Sequence, residues 1–164
     1  MFNSFDMRMF KAARSEADKS EFDPFHLGCV IVYKKNIISR GWNKAKTHPM
    51  QRLYNKYRKF NNDDGTHYII DSVHAEIDAI SKIPYTVKKE IDDNGDWHNV
   101  KIYVYRKSNT KRSKYSCAKP CKACMNAIKD LGITDVYYTD WDGLGYLKIG
   151  GDIDEVDSCC CDED

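Results

Sequence analysis

The sequence predicts an α/β fold, in which helices cover the faces of one mixed sheet. The first observation is "LGCVIVYKKNIISRGWN", where two apolar runs flank a "KKN" turn. This pattern indicates an antiparallel hairpin, with strands near Leu27–Tyr33 and residues 36–41. The second observation is a strand, helix and strand in succession, in "VKIYVYR", "PCKACMNAIKDLG" and "TDVYYTD". A strand–helix–strand unit after a hairpin gives a sheet that contains both parallel and antiparallel pairs.

The elements before and between these strands are helical. Phe2, Phe5, Met9 and Ala13 recur near helical spacing and predict an amphipathic first helix that ends about Ala17. In "HPMQRLYNKYRKF" the apolar residues again have helical spacing, which is typical of a surface helix with one buried face. "NNDDGT" then breaks the chain.

A third helix is expected to begin at Ser72, whose hydroxyl is a suitable N-cap. Its apolar stripe would consist of Val73, Ile77 and Ile80. "DDNGDW" predicts a turn and "SNTKRSK" a loop. The 164 residues fit one domain, which we place at 1–150, followed by an acidic and flexible tail at 151–164.

The composition is that of an ordinary globular protein, with a formal net charge of +1. Residues 1–61 contain 13 Lys/Arg and 5 Asp/Glu (+8), whereas residues 62–164 contain 13 and 20 (−7). The asymmetry fits either a basic face for phosphates or unrelated exposed faces. No apolar run has membrane-spanning length and the N-terminus lacks a secretory pattern, so we expect a cytoplasmic protein.

Seven cysteines in a reducing compartment favour metal binding or catalysis over disulfides. Cys121 and Cys124 are three residues apart, share a helix face, and lie in the first turn if Pro120 is the first helical residue. The positive end of the helix dipole there favours the thiolate form. A CxxC pair fits a redox site, half of a four-cysteine zinc site, or part of a catalytic zinc site.

The first two interpretations lack support in the sequence. A redox pair would directly follow a strand in a thioredoxin-like order, and a four-cysteine site needs a second close pair. Cys29 and Cys117 are isolated, and the remaining cysteines lie in the tail. His74 is therefore the better third ligand, which leaves the fourth position of a zinc ion open, as in catalytic sites.

Glu76 follows His74 by two residues, and such residues point roughly 200° apart on a regular helix. The two side chains converge only at an irregular helix start, which the predicted cap at Ser72 supplies. A carboxylate beside a zinc-bound water can take its proton and return it to a leaving group. HxE followed by PCxxC is the pattern of zinc-dependent nucleobase deaminases.

Over residues 27–139 the chain resembles the cytidine/deoxycytidylate deaminase superfamily, in "GCVIVYKKNIISRGWN", "HAE", "KPCKAC" and "AIKDLGITDVYYT". The resemblance implies a three-layer α/β/α fold around a five-stranded sheet. It also implies hydrolytic removal of an exocyclic amine from a cytosine-type base or, in one branch, from adenine. Self-association is common in this family.

The resemblance also implies roles for individual residues. His74, Cys121 and Cys124 match the zinc ligands, and Glu76 matches the proton shuttle. Asn43 matches the asparagine that contacts the sugar or base. The family pattern further implies substrate or oxyanion contacts for the backbone N–H groups of Ala75 and Cys121, and a pocket contribution from Tyr138 or Tyr137.

Thirty residues (44–73) separate Asn43 from His74, a length that is similar to the deoxycytidylate deaminase branch with its viral and phage members. The expected reaction is therefore zinc-dependent conversion of free dCMP to dUMP. Basic candidates for the phosphate are Arg52, Lys56, Arg106 and Lys107. Two alternatives stay open: a cytosine deaminase that acts on single-stranded DNA or RNA, and a non-catalytic zinc-stabilised binding module.

Overall fold

A computed structural model describes residues 2–22, 25–58, 72–111 and 113–150. The strands are β1 (Leu27–Tyr33), β2 (Asn36–Trp42), β3 (Lys44–Thr47), β4 (Ser72–Val73), β5 (Lys101–Lys107), β6 (Tyr115–Ser116), β7 (Asp135–Asp140) and β8 (Gly143–Lys148). The α-helices are α1 (Ser4–Ala17), α2 (Pro49–Tyr54), α3 (Ala75–Ser81), α4 (Tyr85–Asn94) and α5 (Lys122–Leu131). Single 3-10 turns lie at Asn55–Tyr57 and Trp97–Asn99.

The main sheet is mixed, as predicted. Five strands follow the order β2-β1-β5-β7-β8, and β6 adds a sixth that pairs with β5. The β5–β7 pair is parallel because α5 crosses over between the two strands, and the other pairs are antiparallel. Strands β3 and β4 form a separate antiparallel pair.

Helices cover both faces of the sheet, which confirms the three-layer α/β/α arrangement. Alternation along β5 divides the two cores: Tyr103 and Tyr105 pack toward α1, whereas Ile102 and Val104 pack toward α3 and α5. In the core on the α1 side, aromatic rings pack against one another: Tyr103 stacks on Tyr137 with ring centroids 4.4 Å apart. The opposite core contains Cys121 and Cys124, the two thiols that the sequence singled out as metal ligands.

Several predicted boundaries are corrected. Ser72 is not a helix cap, because it pairs with β3 as part of β4, and the N-cap of α3 is His74. Likewise Pro120 is not the first helical residue, since Cys121 is the N-cap of α5. Val73 is buried but belongs to β4 rather than to the stripe of α3.

The sequence predicted neither α4 nor β8, and the short strands β3, β4 and β6 also had no prediction. Helix α4 is mostly polar and buries only Ile91, so its apolar stripe is too thin to recognise. Strand β8, "GLGYLK", has glycines at two of its six positions, which weakens the strand pattern. The proposed tail at 151–164 lies outside the described residues and stays a prediction. Within the described ranges, no helix has both the length and the apolar character needed to cross a membrane.

Gly41 is the point at which β2 meets the start of α3. A Cβ atom at this position would lie 2.5 Å from the Ala75 carbonyl oxygen and still closer to the Ala79 backbone nitrogen. Because these are backbone atoms, Gly41→Ala can be accommodated only if α3 moves away. We expect the free energy of unfolding to fall by about 1–3 kcal/mol, as measured by urea denaturation.

Gly150→Ala is the matched control for this substitution, since nothing lies within 4 Å of a Cβ at Gly150. Equal stability of the two variants would contradict the close approach of β2 to α3.

Candidate active site

Three side chains form a compact donor group between the starts of α3 and α5. His74 Nδ1 lies 3.5 Å from the Cys121 Sγ and 3.4 Å from the Cys124 Sγ. All three ligand atoms are within 4.8 Å of one another. Around a tetrahedral zinc ion, nitrogen and sulfur ligands are separated by roughly 3.6 Å. The donor set and its spacing therefore fit a zinc ion with one position left for another ligand.

The ends of two helices create this group. His74 and Cys121 are both N-caps with extended backbone, at φ −79° and ψ 156° for His74 and φ −67° and ψ 169° for Cys121. Cys124 lies in the first turn of α5, three residues after Cys121, so both thiols lie at the same end of the helix. His74 lies at the start of α3, as the sequence predicted, although the cap is two residues later than expected. Cys121 was expected inside the first turn of its helix and is instead the N-cap of α5.

Glu76 lies in the first turn of α3 and is 2% exposed. Its carboxyl interacts with His74 and Cys124, which brings it to the donor group. Among the described residues, the Oε2 atom has no hydrogen-bond partner. Burial raises the pKa of Glu76, and the interactions with His74 and Cys124 oppose that shift. A buried carboxyl oxygen without a partner at a metal-ligand group is the arrangement expected of a proton carrier.

Asn43 is buried at the end of β2 and fastens the segment before β1. Its Oδ1 accepts a hydrogen bond from the Leu27 N–H (2.9 Å), and its Nδ2 donates to the Phe25 carbonyl (2.9 Å). Its carbonyl oxygen accepts from the Ser20 hydroxyl. The Asn43 side chain, which the family pattern assigns to substrate binding, therefore also holds the start of β1 against the end of β2.

The two candidate tyrosines lie on opposite faces of the sheet. Tyr138 packs with the core that contains both cysteine ligands, whereas Tyr137 packs toward α1. Of the pair, only Tyr138 is on the same side as the donor group. Ala75 is fully buried as the first residue of α3, directly after His74.

The basic candidates are not gathered at one place. Arg106 is 8% exposed at the end of β5, and its guanidinium lies 4.8 Å from the Phe25 ring centroid and 6.0 Å from that of Trp141. Lys107, the next residue along β5, instead pairs with Asp18 at 2.7 Å. Lys56 lies 5.1 Å from the Tyr57 ring and, like Arg52, is exposed.

Asp78, one turn beyond His74, is a second buried carboxylate with a different environment. It accepts hydrogen bonds from Lys82 (2.8 Å), Lys44 (3.0 Å) and the Trp42 N–H (3.1 Å). Burial alone would raise the pKa of Asp78, but these three donors outweigh it and hold the pKa below its ordinary value. The carboxylate thus ties α3 to the end of β2 and the start of β3.

Asp78→Asn should lose about 1–2 kcal/mol of stability at pH 7, because it gives up the charge of a buried carboxylate that is paired with two partly exposed lysines. A depressed folded-state pKa stabilises the protein above the unfolded pKa of about 4, and that stabilisation is lost as the pH falls below it. Melting temperatures from pH 7 to pH 3 should therefore converge for Asp78→Asn and the unsubstituted protein. A difference that is constant with pH would contradict the ion pairs.

The sequence matches the model of a known protein family over most of its length. The model for the cytidine and deoxycytidylate deaminase zinc-binding region matches residues 3–140. The chain belongs to this family. The members are hydrolytic deaminases, so this deaminase is an enzyme that uses zinc, and the interpretation as a non-catalytic binding module is not supported.

Two solved structures share the fold of this deaminase. The dCMP deaminase of the cyanophage S-TIM5 in apo form is 16% identical, with a TM-score of 0.50, over 85% of this chain and 86% of that one. The cytidine deaminase of Burkholderia pseudomallei is 15% identical, with a TM-score of 0.51, over 87% and 91%. No curated protein matches the sequence.

Sequence reasoning missed one residue near the donor group. Gln51, in α2, is fully buried, and its Oε1 accepts a hydrogen bond from the His74 N–H at 3.0 Å. In the sequence, Gln51 is recognisable only as a polar residue on the apolar side of a short helix. No sequence pattern connects it with His74, which is 23 residues away.

Proposed function

We propose that the chain hydrolyses the exocyclic amine of free deoxycytidylate, converting dCMP and water to dUMP and ammonia. The observation that carries this proposal is the buried Glu76 carboxyl beside the His74–Cys121–Cys124 group, in a member of the deaminase family. The phage protein of the same fold is named a dCMP deaminase. The length of residues 44–73, the insert between Asn43 and His74, supports the same branch.

In this proposal His74 Nδ1 and the two thiolates hold the zinc ion. When bound there, zinc activates a water molecule and makes it a nucleophile at neutral pH. Glu76 would accept a proton from the attacking water and deliver it to ring nitrogen 3 as the water oxygen bonds to carbon 4 of the cytosine. It would then carry the remaining proton of that oxygen to the exocyclic amine, so that the bond from carbon 4 to this nitrogen breaks and ammonia leaves. Because Glu76 is shielded from solvent, the protons that it carries exchange with the substrate rather than with bulk water.

The remaining site residues would orient the base. Asn43 contacts the sugar or base, and the backbone N–H groups of Ala75 and Cys121 donate hydrogen bonds at the start of their helices. Tyr138 lines the pocket from β7. Arg106 is our candidate for the phosphate, because it lies near the C-terminal end of β5 on the same face as Val104, with its guanidinium close to two aromatic rings.

One observation favours a second candidate, deamination of cytosine in single-stranded nucleic acid. The Trp42 ring is surrounded by the ammonium groups of Lys19, Lys44 and Lys82, at 5.1, 4.2 and 4.2 Å from its centroid. Trp42 directly precedes Asn43. An aromatic ring among cations is the kind of surface that binds a single strand through stacking and phosphate contacts.

The two candidates are separated by one experiment. The zinc-loaded protein is incubated with dCMP, deoxycytidine and a cytosine-containing oligonucleotide, and uracil is quantified in each. We expect turnover of dCMP well above that of deoxycytidine, because the nucleoside lacks the phosphate. Uracil in the oligonucleotide alone would overturn the proposal in favour of the second candidate, and preference for deoxycytidine would contradict a phosphate site.

A further inference from the structure

Gln51 joins the insert to the metal site through two buried hydrogen bonds. Its Oε1 accepts from the His74 N–H at 3.0 Å, and its Nε2 donates to the Asn55 Oδ1 at 2.9 Å. Gln51 is 0% exposed and Asn55 is 3% exposed. Buried side-chain amides are costly unless they are hydrogen-bonded, so this pair needs its partners to be in place.

The His74 amide needs such a partner. As the N-cap of α3, His74 contributes its carbonyl to the helix, where it accepts from the Asp78 N–H at 2.9 Å. Its own N–H points out of the helix and has no intrahelical acceptor. Gln51 supplies that acceptor, so the peptide groups on both sides of the His74 Cα are fixed, one by α3 and the other by α2.

Helix α2 is itself fastened to the helix that carries the other ligands. The Tyr54 hydroxyl donates to Asp130 of α5 at 2.7 Å. The N-terminus of α2 is capped by His48, whose Nδ1 accepts from the Met50 N–H. Because α5 carries Cys124 in its first turn, α2 connects the histidine ligand to the helix of the thiol ligands.

We propose that Gln51 is a positioning residue for the zinc ligand His74, because its side chain fixes the peptide group on the N-terminal side of His74. A ligand whose backbone is held from both sides loses less freedom when the metal binds. Outer groups that orient metal ligands typically contribute a factor of 10 to 100 in metal affinity. The inference rests on the zinc site and is independent of which cytosine substrate is used.

The test compares two substitutions at one position. Gln51→Met keeps the length of the side chain but removes the acceptor for the His74 N–H, whereas Gln51→Glu keeps an oxygen acceptor. Zinc affinity is measured by competition with a chromophoric chelator. The absorption spectrum of the cobalt(II)-substituted protein reports the ligand geometry directly. Neither measurement needs a substrate, so failure of the proposed dCMP activity would leave the result interpretable.

We expect Gln51→Met to raise the zinc dissociation constant by about tenfold or more and to change the cobalt(II) ligand-field bands. Gln51→Glu should restore most of the affinity. Tyr54→Phe is the matched control, because it loosens α2 from α5 at an exposed bond without touching His74. It should leave zinc affinity within about twofold.

Two results would overturn the inference. The first is a folded Gln51→Met protein with unchanged zinc affinity and an unchanged cobalt(II) spectrum. The second is an equal loss of zinc affinity in Tyr54→Phe and Gln51→Met, since the effect would then come from general loosening of α2. If Gln51→Met does not fold, Asn55→Leu removes only the outer bond and should raise the dissociation constant by a smaller factor, and unchanged affinity there would count against the inference.

Discussion

Glu76→Gln is expected to fold and bind zinc normally. Its deaminase activity should fall by a factor of about 10² to 10⁴. The amide is nearly isosteric with the carboxyl and cannot accept and return a proton. Because Glu76 is not among the three donors, zinc content should stay at one ion per chain. Turnover of dCMP and metal analysis on the same preparation measure both quantities.

The stability of this variant carries a second expectation. In the present structure a buried carboxyl oxygen has no hydrogen-bond partner among the described residues, which is an unfavourable arrangement for a charged group. Replacing it by a neutral amide removes part of that cost, so the melting temperature should be equal or higher. A site that gains stability when it loses its catalytic group shows the trade-off between stability and activity.

Asp78→Asn is the matched control for Glu76→Gln. Both residues are buried acids of α3, two positions apart, but Asp78 is held by Lys44, Lys82 and the Trp42 N–H. The control should lose stability and retain most of its turnover number. Substantial activity in Glu76→Gln, or a loss of similar size in both variants, would contradict the role assigned to Glu76.

The sheet and the donor group could be predicted because both depend on local patterns. The runs that became β1 and β5 are apolar at consecutive positions, as expected of strands that are covered on both faces. The CxxC pair needs only one turn of helix to bring two thiols together. His74 was recognised because its HxE pattern joins PCxxC in a known chemical signature.

The rest depends on contacts between distant residues. Ser72 is a favourable cap by its chemistry, but pairing with β3 draws it into a strand and moves the start of α3 to His74. The bond from the His74 N–H to Gln51 spans 23 residues and leaves no periodic trace. Tertiary structure therefore corrected the helix starts and revealed the support of the metal ligand.

The position of the donor group at the starts of α3 and α5 depends on the non-helical backbone of His74 and Cys121. A side chain in the middle of a regular helix lies against the neighbouring turn, whereas an N-cap residue with extended backbone directs its side chain past the helix end. His74 and Cys121 both have this conformation, and they face each other across 3.5 Å. Their shared geometry brings the two side chains to the same point between the starts of α3 and α5.

Cys124→Ser should lose most of its bound zinc and all measurable deamination. A serine hydroxyl stays protonated at neutral pH and is a poor zinc ligand, so only His74 and Cys121 would remain as strong donors. Since metal binding to the folded state adds to stability, the melting temperature should also fall, and a chelator should have little further effect on this variant. In the unsubstituted protein the same chelator should lower the melting temperature.

Cys29→Ser provides the control for burial of a serine hydroxyl. Cys29 is a free thiol in the same core, is 0% exposed like Cys124, and is not a member of the donor group. It should lose stability through the buried hydroxyl and still bind one zinc ion per chain. Full zinc occupancy in Cys124→Ser, or loss of zinc in Cys29→Ser, would mean that the ligand set differs from His74, Cys121 and Cys124. The two variants remove the same sulfur atom from the same core, so a difference in zinc content between them can come only from ligation.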